Sequence, residues 1–95
     1  MGRWLYILQR ADGSYYVGTT SSDPEARLSE HNGGIDRKAY TFSRRPVQLV
    51  HAEYFEEIVD AIFLERQLKG WSRAKKEAFM RHDFDALRFL SRRKS

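Results

Sequence analysis

The chain opens with two short runs in which apolar and aromatic residues alternate with other positions, and this pattern predicts a β-hairpin. The runs lie within residues 4–18, WLYILQRADGSYYVG, and an Ala-Asp-Gly loop separates them. A three-residue loop with Gly13 in the left-handed conformation is a favoured connection, and it sets Tyr6 opposite Gly18. Tyr6 and Tyr16 then share one face as diagonal neighbours, roughly 7–8 Å apart at the backbone, so both hydroxyls can reach one small ligand. A two-residue loop on positions 12 and 13 would place them on opposite faces instead.

The rest of the pattern predicts one more strand and further helices. Residues 23–25, Asp-Pro-Glu, are typical of a helix start, because an aspartate can cap free backbone amides and a proline suits the first helical position. Residues 47–55, VQLVHAEYF, are rich in β-forming types and predict a third strand packed on both faces. Residues 58–69 repeat apolar positions at helical spacing, and Ser72 and Asp83 are expected to cap two later helices. We therefore expect an α/β (α+β) fold in a single domain over residues 1–95.

A carboxylate interrupts the apolar stripe of the helix predicted over residues 58–69. Ala61 and Leu68 belong to the stripe, and Glu65 falls in its middle. Because burying an unpaired carboxylate costs several kcal/mol, Glu65 should be paired, protonated or bound to a cation. Two interpretations stay open, a salt bridge to Arg27 or Lys69 and a metal ligand.

Composition excludes several functional classes. The 95 residues, of which 41% are apolar, suffice for one core. The chain contains no cysteine, which excludes thiolate catalysis, disulfides and cysteine zinc sites. No apolar run approaches the roughly 20 residues that span a membrane, so we expect a cytoplasmic protein without a membrane partner. The formal charge of +4 favours a polyanion such as nucleic acid as the partner, although such a charge also serves solubility.

Two polar regions contain candidate functional residues, and each also has an interpretation without a functional role. Arg27 and His31 lie one turn apart on the predicted helix, as a functional pair or as a solvated arginine with an incidental histidine. Residues 33–46, GGIDRKAYTFSRRP, interleave basic and aromatic side chains. That composition can grip a phosphate backbone and stack on an unpaired base, or it can belong to an ordinary connection.

The triplets WLY at residues 4–6 and YVG at residues 16–18 resemble the paired motifs of the GIY-YIG nuclease superfamily. Arg27, His31 and Glu65 follow in the order in which that superfamily carries its arginine, the histidine of some branches and its metal-binding glutamate. The stretch KAYT at residues 38–41 resembles one of the small stand-alone bacterial branch. The chain departs from the pattern at Trp4, which replaces the glycine of the first triplet, and it lacks the late asparagine of several branches.

This resemblance implies a small three-stranded antiparallel sheet flanked by helices, and a metal-dependent endonuclease activity that hydrolyses phosphodiester bonds in DNA. Glu65 would bind Mg²⁺, Arg27 would contact the nonbridging phosphate oxygens, and Tyr6 or Tyr16 would take a proton from the attacking water. The cationic surroundings would ease deprotonation of that tyrosine, and His31 could relay the proton. The residues implied for substrate contact are Gly18, Lys38, Tyr40, Thr41 and Lys69.

The sequence also bears on substrate selectivity and on two alternative functions. A single small domain without an appended reading module is expected to select the structure of its substrate rather than the base sequence. One rival is a non-catalytic nucleic-acid-binding module that keeps the same scaffold. Another is a protein-interaction domain in which Tyr6, Tyr16 and Glu65 form a structural hydrogen-bond network.

Overall fold

The computed structural model describes residues 2–33 and 46–93. They form three strands and four helices, namely β1 (Arg3–Gln9), β2 (Tyr15–Thr20), α1 (Pro24–Gly33), β3 (Gln48–Phe55), α2 (Ile58–Gly70), α3 (Arg73–Met80) and α4 (Phe84–Arg93). The strands make one antiparallel sheet in the order β2-β1-β3, so β1 is central and the other two strands lie at the edges. The predicted α+β fold, with a three-stranded antiparallel sheet and flanking helices, is confirmed.

The hairpin of β1 and β2 has the predicted three-residue loop. Gly13 adopts a φ of 86°, in the left-handed region that a residue without Cβ enters most easily. The backbone N–H of Arg10 donates to the Ser14 carbonyl at 2.8 Å and closes the loop. Tyr6 therefore pairs with Gly18, and the two tyrosines of the paired triplets share one face of the sheet.

One face of the sheet is closed by apolar packing. Leu5 and Ile7 of β1 and Val17 of β2 pack against Leu68 of α2, and all four side chains are at most 3% exposed. Trp71 packs against this cluster from the turn that follows α2. Burial of this kind stabilises a domain by about 1.5–3 kcal/mol for each large apolar side chain.

The opposite face carries the tyrosines and packs against α1. Tyr6, Leu8 and Val47 form its buried cluster, and Leu28 of α1 and Leu49 of β3 pack against it. This second cluster contains a phenol among its buried members, so the face combines packing with a polar group.

The third strand packs on both faces of the sheet, as predicted, but its burial is incomplete: Leu49 packs against the cluster of Tyr6, and Phe55 packs against the cluster of Leu5 on the other face. Exposed and partly buried residues alternate along the whole of β3. The strand lies at an edge of the sheet, and α1 packs near Val47 and Leu49 at its first end. Further along the same face, Ala52 and Tyr54 are exposed.

Three helix starts are capped by the predicted side chains. In each, the capping oxygen accepts a hydrogen bond from a backbone N–H two or three residues later: Asp23 from Glu25 at 3.0 Å, Ser72 from Lys75 at 3.2 Å, and Asp83 from Ala86 at 3.1 Å. A cap of this kind stabilises a helix by about 1 kcal/mol. Within residues 2–33 and 46–93, no helix has the length and apolar content to cross a bilayer.

Candidate active site

Tyr6 is the buried centre of the candidate site. Its side chain is 1% exposed on the central strand, and its hydroxyl accepts a hydrogen bond from the guanidinium of Arg27 on α1. Its ring centroid lies 6.2 Å from that of Tyr16 on β2. The hairpin register and the position of α1 therefore bring two phenols and a guanidinium together, as the sequence predicts.

Gly18 leaves the space that Tyr6 fills. A Cβ atom at position 18 would lie 2.7 Å from the hydroxyl oxygen of Tyr6 and 2.8 Å from its Cζ atom. Both distances are shorter than any ordinary contact, so a larger residue would displace the buried phenol. The buried position of Tyr6 thus requires a residue without a side chain at the end of the second triplet.

Tyr16 also contacts His31, one helical turn beyond Arg27. The ring centroids of Tyr16 and His31 are 5.0 Å apart. Burial, and secondarily the positive charge of Arg27, lowers the pKa of the His31 imidazole below its ordinary value. Because that ordinary value is about 6.5, His31 is neutral at neutral pH and has a ring nitrogen that can accept a proton.

The pKa of Tyr6 moves in the direction opposite to the one expected for a general base. Burial raises it above the ordinary tyrosine value, and the hydrogen bond from Arg27 offsets this effect in part. The nearby phenol of Tyr16 adds to the increase. The expectation that a cationic environment eases deprotonation therefore does not hold for Tyr6, because desolvation outweighs the guanidinium.

Arg27 keeps its charge and has an unused donor. The hydrogen bond to Tyr6 is the main cause that raises the pKa of its guanidinium. A second contact joins Nη1 to the carboxylate of Glu30. Among the described residues, the buried Nε atom of Arg27 has no hydrogen-bond partner. The side chain as a whole is 40% exposed, so the guanidinium beside the two phenols is accessible to an anionic oxygen of a ligand.

Glu65 lies on the inward stripe of α2, between the fully buried residues Ala61 and Leu68. Its side chain is 18% exposed, and its Oε2 atom lies 3.0 Å from Nζ of Lys69. Of the two salt bridges that the sequence leaves open, the structure has the one to Lys69. Through Leu68, α2 packs against the face of the sheet opposite to Tyr6. The tyrosines, Gly18, Arg27 and His31 thus form one cluster. The convergence of Glu65 on this cluster stays a prediction, because α2 packs through Leu68 on the other face.

A single-carboxylate metal site fits the donors of α2. The described part of the chain holds no group of three or more His, Asp or Glu side chains able to enclose a metal ion. A carboxylate with waters and substrate phosphate is nevertheless coordination that Mg²⁺ accepts. The Lys69 side chain is 56% exposed, and an exposed ion pair contributes little, so a cation can displace this lysine from Glu65.

Three residues implied for substrate contact, Lys38, Tyr40 and Thr41, lie outside the described residues. Gly18 lies in the cluster described above, and Lys69 is the partner of Glu65. The roles of these five residues stay predictions.

Sequence reasoning gave no role to Arg10, which contacts the same site. Its guanidinium carbon lies 5.7 Å from the centroid of the Tyr16 ring. Its Nη1 atom donates to the Ser14 hydroxyl and to the Tyr15 carbonyl, both at 2.8 Å. The three-residue loop sets Arg10 opposite Ser14 in the hairpin register. The loop length could therefore have predicted the contact between Arg10 and Ser14.

Asn32 is a second residue that sequence reasoning missed. Its Oδ1 accepts from the backbone N–H of Val47 at 2.7 Å, and its Nδ2 donates to the Val47 carbonyl at 3.0 Å. These two bonds fasten the last turn of α1 to the start of β3. They help to hold Arg27 and His31, which lie on the same helix, against the sheet.

Comparison with known proteins identifies the family of this chain. The GIY-YIG catalytic domain matches residues 3–78. The chain belongs to the GIY-YIG family. Relatives include UPF0213 proteins of Halobacterium salinarum and Streptococcus pneumoniae. The first is 43% identical over 78% of this chain and 94% of its own length, and the second is 40% identical over 86% and 81%.

Two solved structures have the same fold. The solution structure of a UPF0213 protein from Bacillus halodurans superposes with a TM-score of 0.55, at 37% identity, over 83% of this chain and 82% of that chain. A protein from E. faecalis gives a TM-score of 0.62, at 36% identity, over 88% of both chains. The chain therefore belongs to the small stand-alone UPF0213 branch of the GIY-YIG family. The names of these UPF0213 relatives state no activity.

Proposed function

We propose that this chain is a metal-dependent endonuclease that hydrolyses phosphodiester bonds in DNA and selects the structure of its substrate. The observation that supports this proposal best is the cluster of Tyr6, Tyr16, Arg27 and His31 around Gly18. It combines a charged guanidinium, a neutral imidazole and two phenols, with ring centroids 6.2 Å apart between the tyrosines and 5.0 Å apart between Tyr16 and His31. Membership of the GIY-YIG family adds a nuclease family and a nucleic-acid substrate to that chemistry.

Arg27 binds the scissile phosphate in this proposal. Its guanidinium stays charged, and its side chain is 40% exposed, so the guanidinium is accessible to a phosphate. Negative charge grows on the nonbridging oxygens as water attacks phosphorus, so a fixed cation there stabilises the transition state more than the ground state. Tyr6 stays protonated and holds Arg27 in position, because burial raises its pKa.

Tyr16 and His31 move the proton of the attacking water. The phenol of Tyr16 takes that proton as the new oxygen–phosphorus bond forms, and its own proton passes to the neutral imidazole of His31. The bond from phosphorus to the departing oxygen then breaks, and that oxygen takes a proton from solvent water. A relay of this kind requires an imidazole that is unprotonated at neutral pH, which the lowered pKa of His31 provides.

Glu65 would hold the magnesium ion. When bound, the ion lowers the pKa of water and offsets charge on the departing oxygen. Lys69, released from Glu65, would be available to a neighbouring phosphate, and we propose Gly18, Lys38, Tyr40 and Thr41 as further contacts to the substrate.

A cleavage panel tests the proposal. Branched, nicked, single-stranded and duplex DNA, with RNA for comparison, are incubated with the protein in magnesium or in chelator. We expect magnesium-dependent cleavage that Glu65→Ala and Glu65→Gln abolish, while the affinity for DNA stays nearly unchanged. Asp60→Asn removes an exposed carboxylate from the same helix and serves as the matched control. Undiminished cleavage by both Glu65 variants would remove this residue from the mechanism.

A nucleic-acid-binding module without turnover is the second candidate. The ion pair of Glu65 with Lys69 favours it, since this pair already satisfies the carboxylate without a metal. The two candidates differ in one result of the panel: a pure binder shifts the mobility of DNA with or without magnesium and leaves every substrate intact. Its affinity should still fall as salt increases, because the contacts are to phosphates.

A further inference from the structure

The face of the sheet that carries Tyr6 is covered at one end and open at the other. Near Leu8, the side chains of Leu49 and Val47 pack together with Leu28 of α1. At the opposite end of β1, Trp4 pairs with Tyr54 of β3 in the register of the sheet. Tyr6 lies between the two ends with its own side chain buried, and the exposed Tyr54 marks the open end.

Trp4 and Tyr54 form an aromatic pair at that end of the face, in which Trp4 is partly buried and Tyr54 is exposed. Their ring centroids are 5.4 Å apart with an interplanar angle of 64°, and Tyr54 is 50% exposed. The buried clusters of both faces are complete without Tyr54. A large aromatic side chain that is exposed and already ordered by a neighbour is informative, because it contributes little to the core and is available to a partner.

The aromatic pair lies directly beside the candidate site. Trp4 precedes Tyr6 by two residues on the same strand and face, which corresponds to about 6.8 Å. Ala52 lies opposite Tyr6 in the register of β1 and β3, and it is small and exposed. The surface between the pair and the site therefore has no bulky side chain at this register position, and a ligand can extend from one to the other.

The charges near the pair favour a base over a phosphate as its ligand. Glu56 and Glu57 follow Tyr54 at the end of β3, and both are exposed. Carboxylates repel a phosphate, whereas stacking of a base on an aromatic ring requires no positive charge at that ring. A nucleobase has such a ring, and it is available for stacking on protein where the nucleic acid is unpaired.

We propose that Trp4 and Tyr54 form a stacking platform for an unpaired nucleobase of the nucleic acid whose phosphate lies at Arg27. This inference rests on the proposed function and names the substrate class more closely, as nucleic acid with an unpaired nucleotide beside the scissile phosphate. The platform would discriminate against an intact duplex, whose bases are already stacked on one another.

The test measures binding in chelator, where cleavage plays no part. Fluorescence anisotropy gives the affinity of the full chain for a labelled single-stranded oligonucleotide and for the matching duplex. Stacking of one base on an aromatic side chain is worth about 1–3 kcal/mol, so Tyr54→Ala should weaken single-strand binding roughly 5- to 150-fold. Duplex affinity should change much less. Tyr54→Phe and Trp4→Phe keep an aromatic ring and are the matched controls, and thermal unfolding verifies that each variant is folded.

The outcomes separate a failure of the stacking platform from a failure of the proposed function. If Tyr54→Ala keeps wild-type affinity for the single strand, or loses affinity equally for both nucleic acids, the platform is wrong. If Arg27→Ala weakens both nucleic acids and Tyr54→Ala weakens the single strand, the platform holds, even if no cleavage is found in magnesium. If the wild-type chain binds neither nucleic acid, the platform and the proposed function both fail.

Discussion

The two faces of the sheet use the same strands in different ways. On the face of Leu5, Ile7 and Val17, the side chains are apolar and closed under α2. On the face of Tyr6, a buried phenol holds a guanidinium that still has an unused donor. One face therefore contributes chiefly to stability, and the other holds buried and partly exposed polar groups in a defined arrangement.

This difference shows how a small domain can hold a partly buried polar cluster without losing its fold. A protein of this size is expected to be stable by only about 5–15 kcal/mol, so the cost of burying Tyr6 and part of Arg27 must be offset elsewhere. The apolar face provides that offset. Substitutions on the two faces should consequently separate into effects on unfolding and effects on the site.

The largest effect on stability is expected on the apolar face. Leu68→Ala removes a fully buried side chain and should lower the free energy of unfolding by about 2–5 kcal/mol. Leu28→Ala on the tyrosine face should cost less, because Leu28 is only partly buried. Urea denaturation followed by circular dichroism measures both. Equal losses for the two variants would contradict the division of the faces.

A smaller and more specific effect is expected from Gly18→Ala. The added Cβ would meet the Tyr6 hydroxyl at 2.7 Å, and overpacking of this kind costs about 1–3 kcal/mol. The displaced phenol would no longer hold Arg27, so binding or cleavage of nucleic acid should fall further than the loss of folded protein explains.

Gly70→Ala is the matched control for that substitution. A Cβ at the end of α2 meets no atom within 4 Å, and alanine is the better helix former. We expect stability to change by less than about 1 kcal/mol, in the favourable direction. The steric account of Gly18 would be wrong if the two glycine variants were equally stable and equally active.

Local patterns carried most of what could be predicted about this molecule. The hairpin register follows from alternation and from Gly13, and these features lie within a few residues of one another. The caps at Ser72 and Asp83 are equally local and are confirmed. The pairing of Arg27 with Tyr6 became predictable only because resemblance to a family supplied the long-range order.

Tertiary placement accounts for what the pattern could not predict. The stripe of α2 indicates that Glu65 points inward, but it does not state which face of the sheet the helix covers. The composition of residues 47–55 predicts a strand, but it contains no information on whether that strand is central or at an edge. The raised pKa of Tyr6 depends on burial by residues distant in sequence, so charge alone predicted the wrong direction.

The smallest expected effect is a dependence of stability on pH that comes from His31. The folded chain lowers the pKa of this imidazole, so between the folded and unfolded pKa values the unfolded chain binds more protons. The contribution of His31 to stability is therefore present above about pH 6.5 and is lost as the pH falls through the folded pKa. His31→Gln does not titrate and should reduce this slope.

The control for this titration is His82, an exposed histidine in the left-handed conformation, with a φ of 59°. His82→Asn suits that backbone and removes an exposed histidine that lies outside the site. In the proposed relay, the same protonation of His31 also occupies the ring nitrogen that would accept the proton of Tyr16. Nucleic-acid cleavage should therefore decrease over the same range of pH in which the stability decreases. A wild-type chain whose cleavage stays constant while its stability falls would separate His31 from the proton relay and leave it as a packing residue against Tyr16.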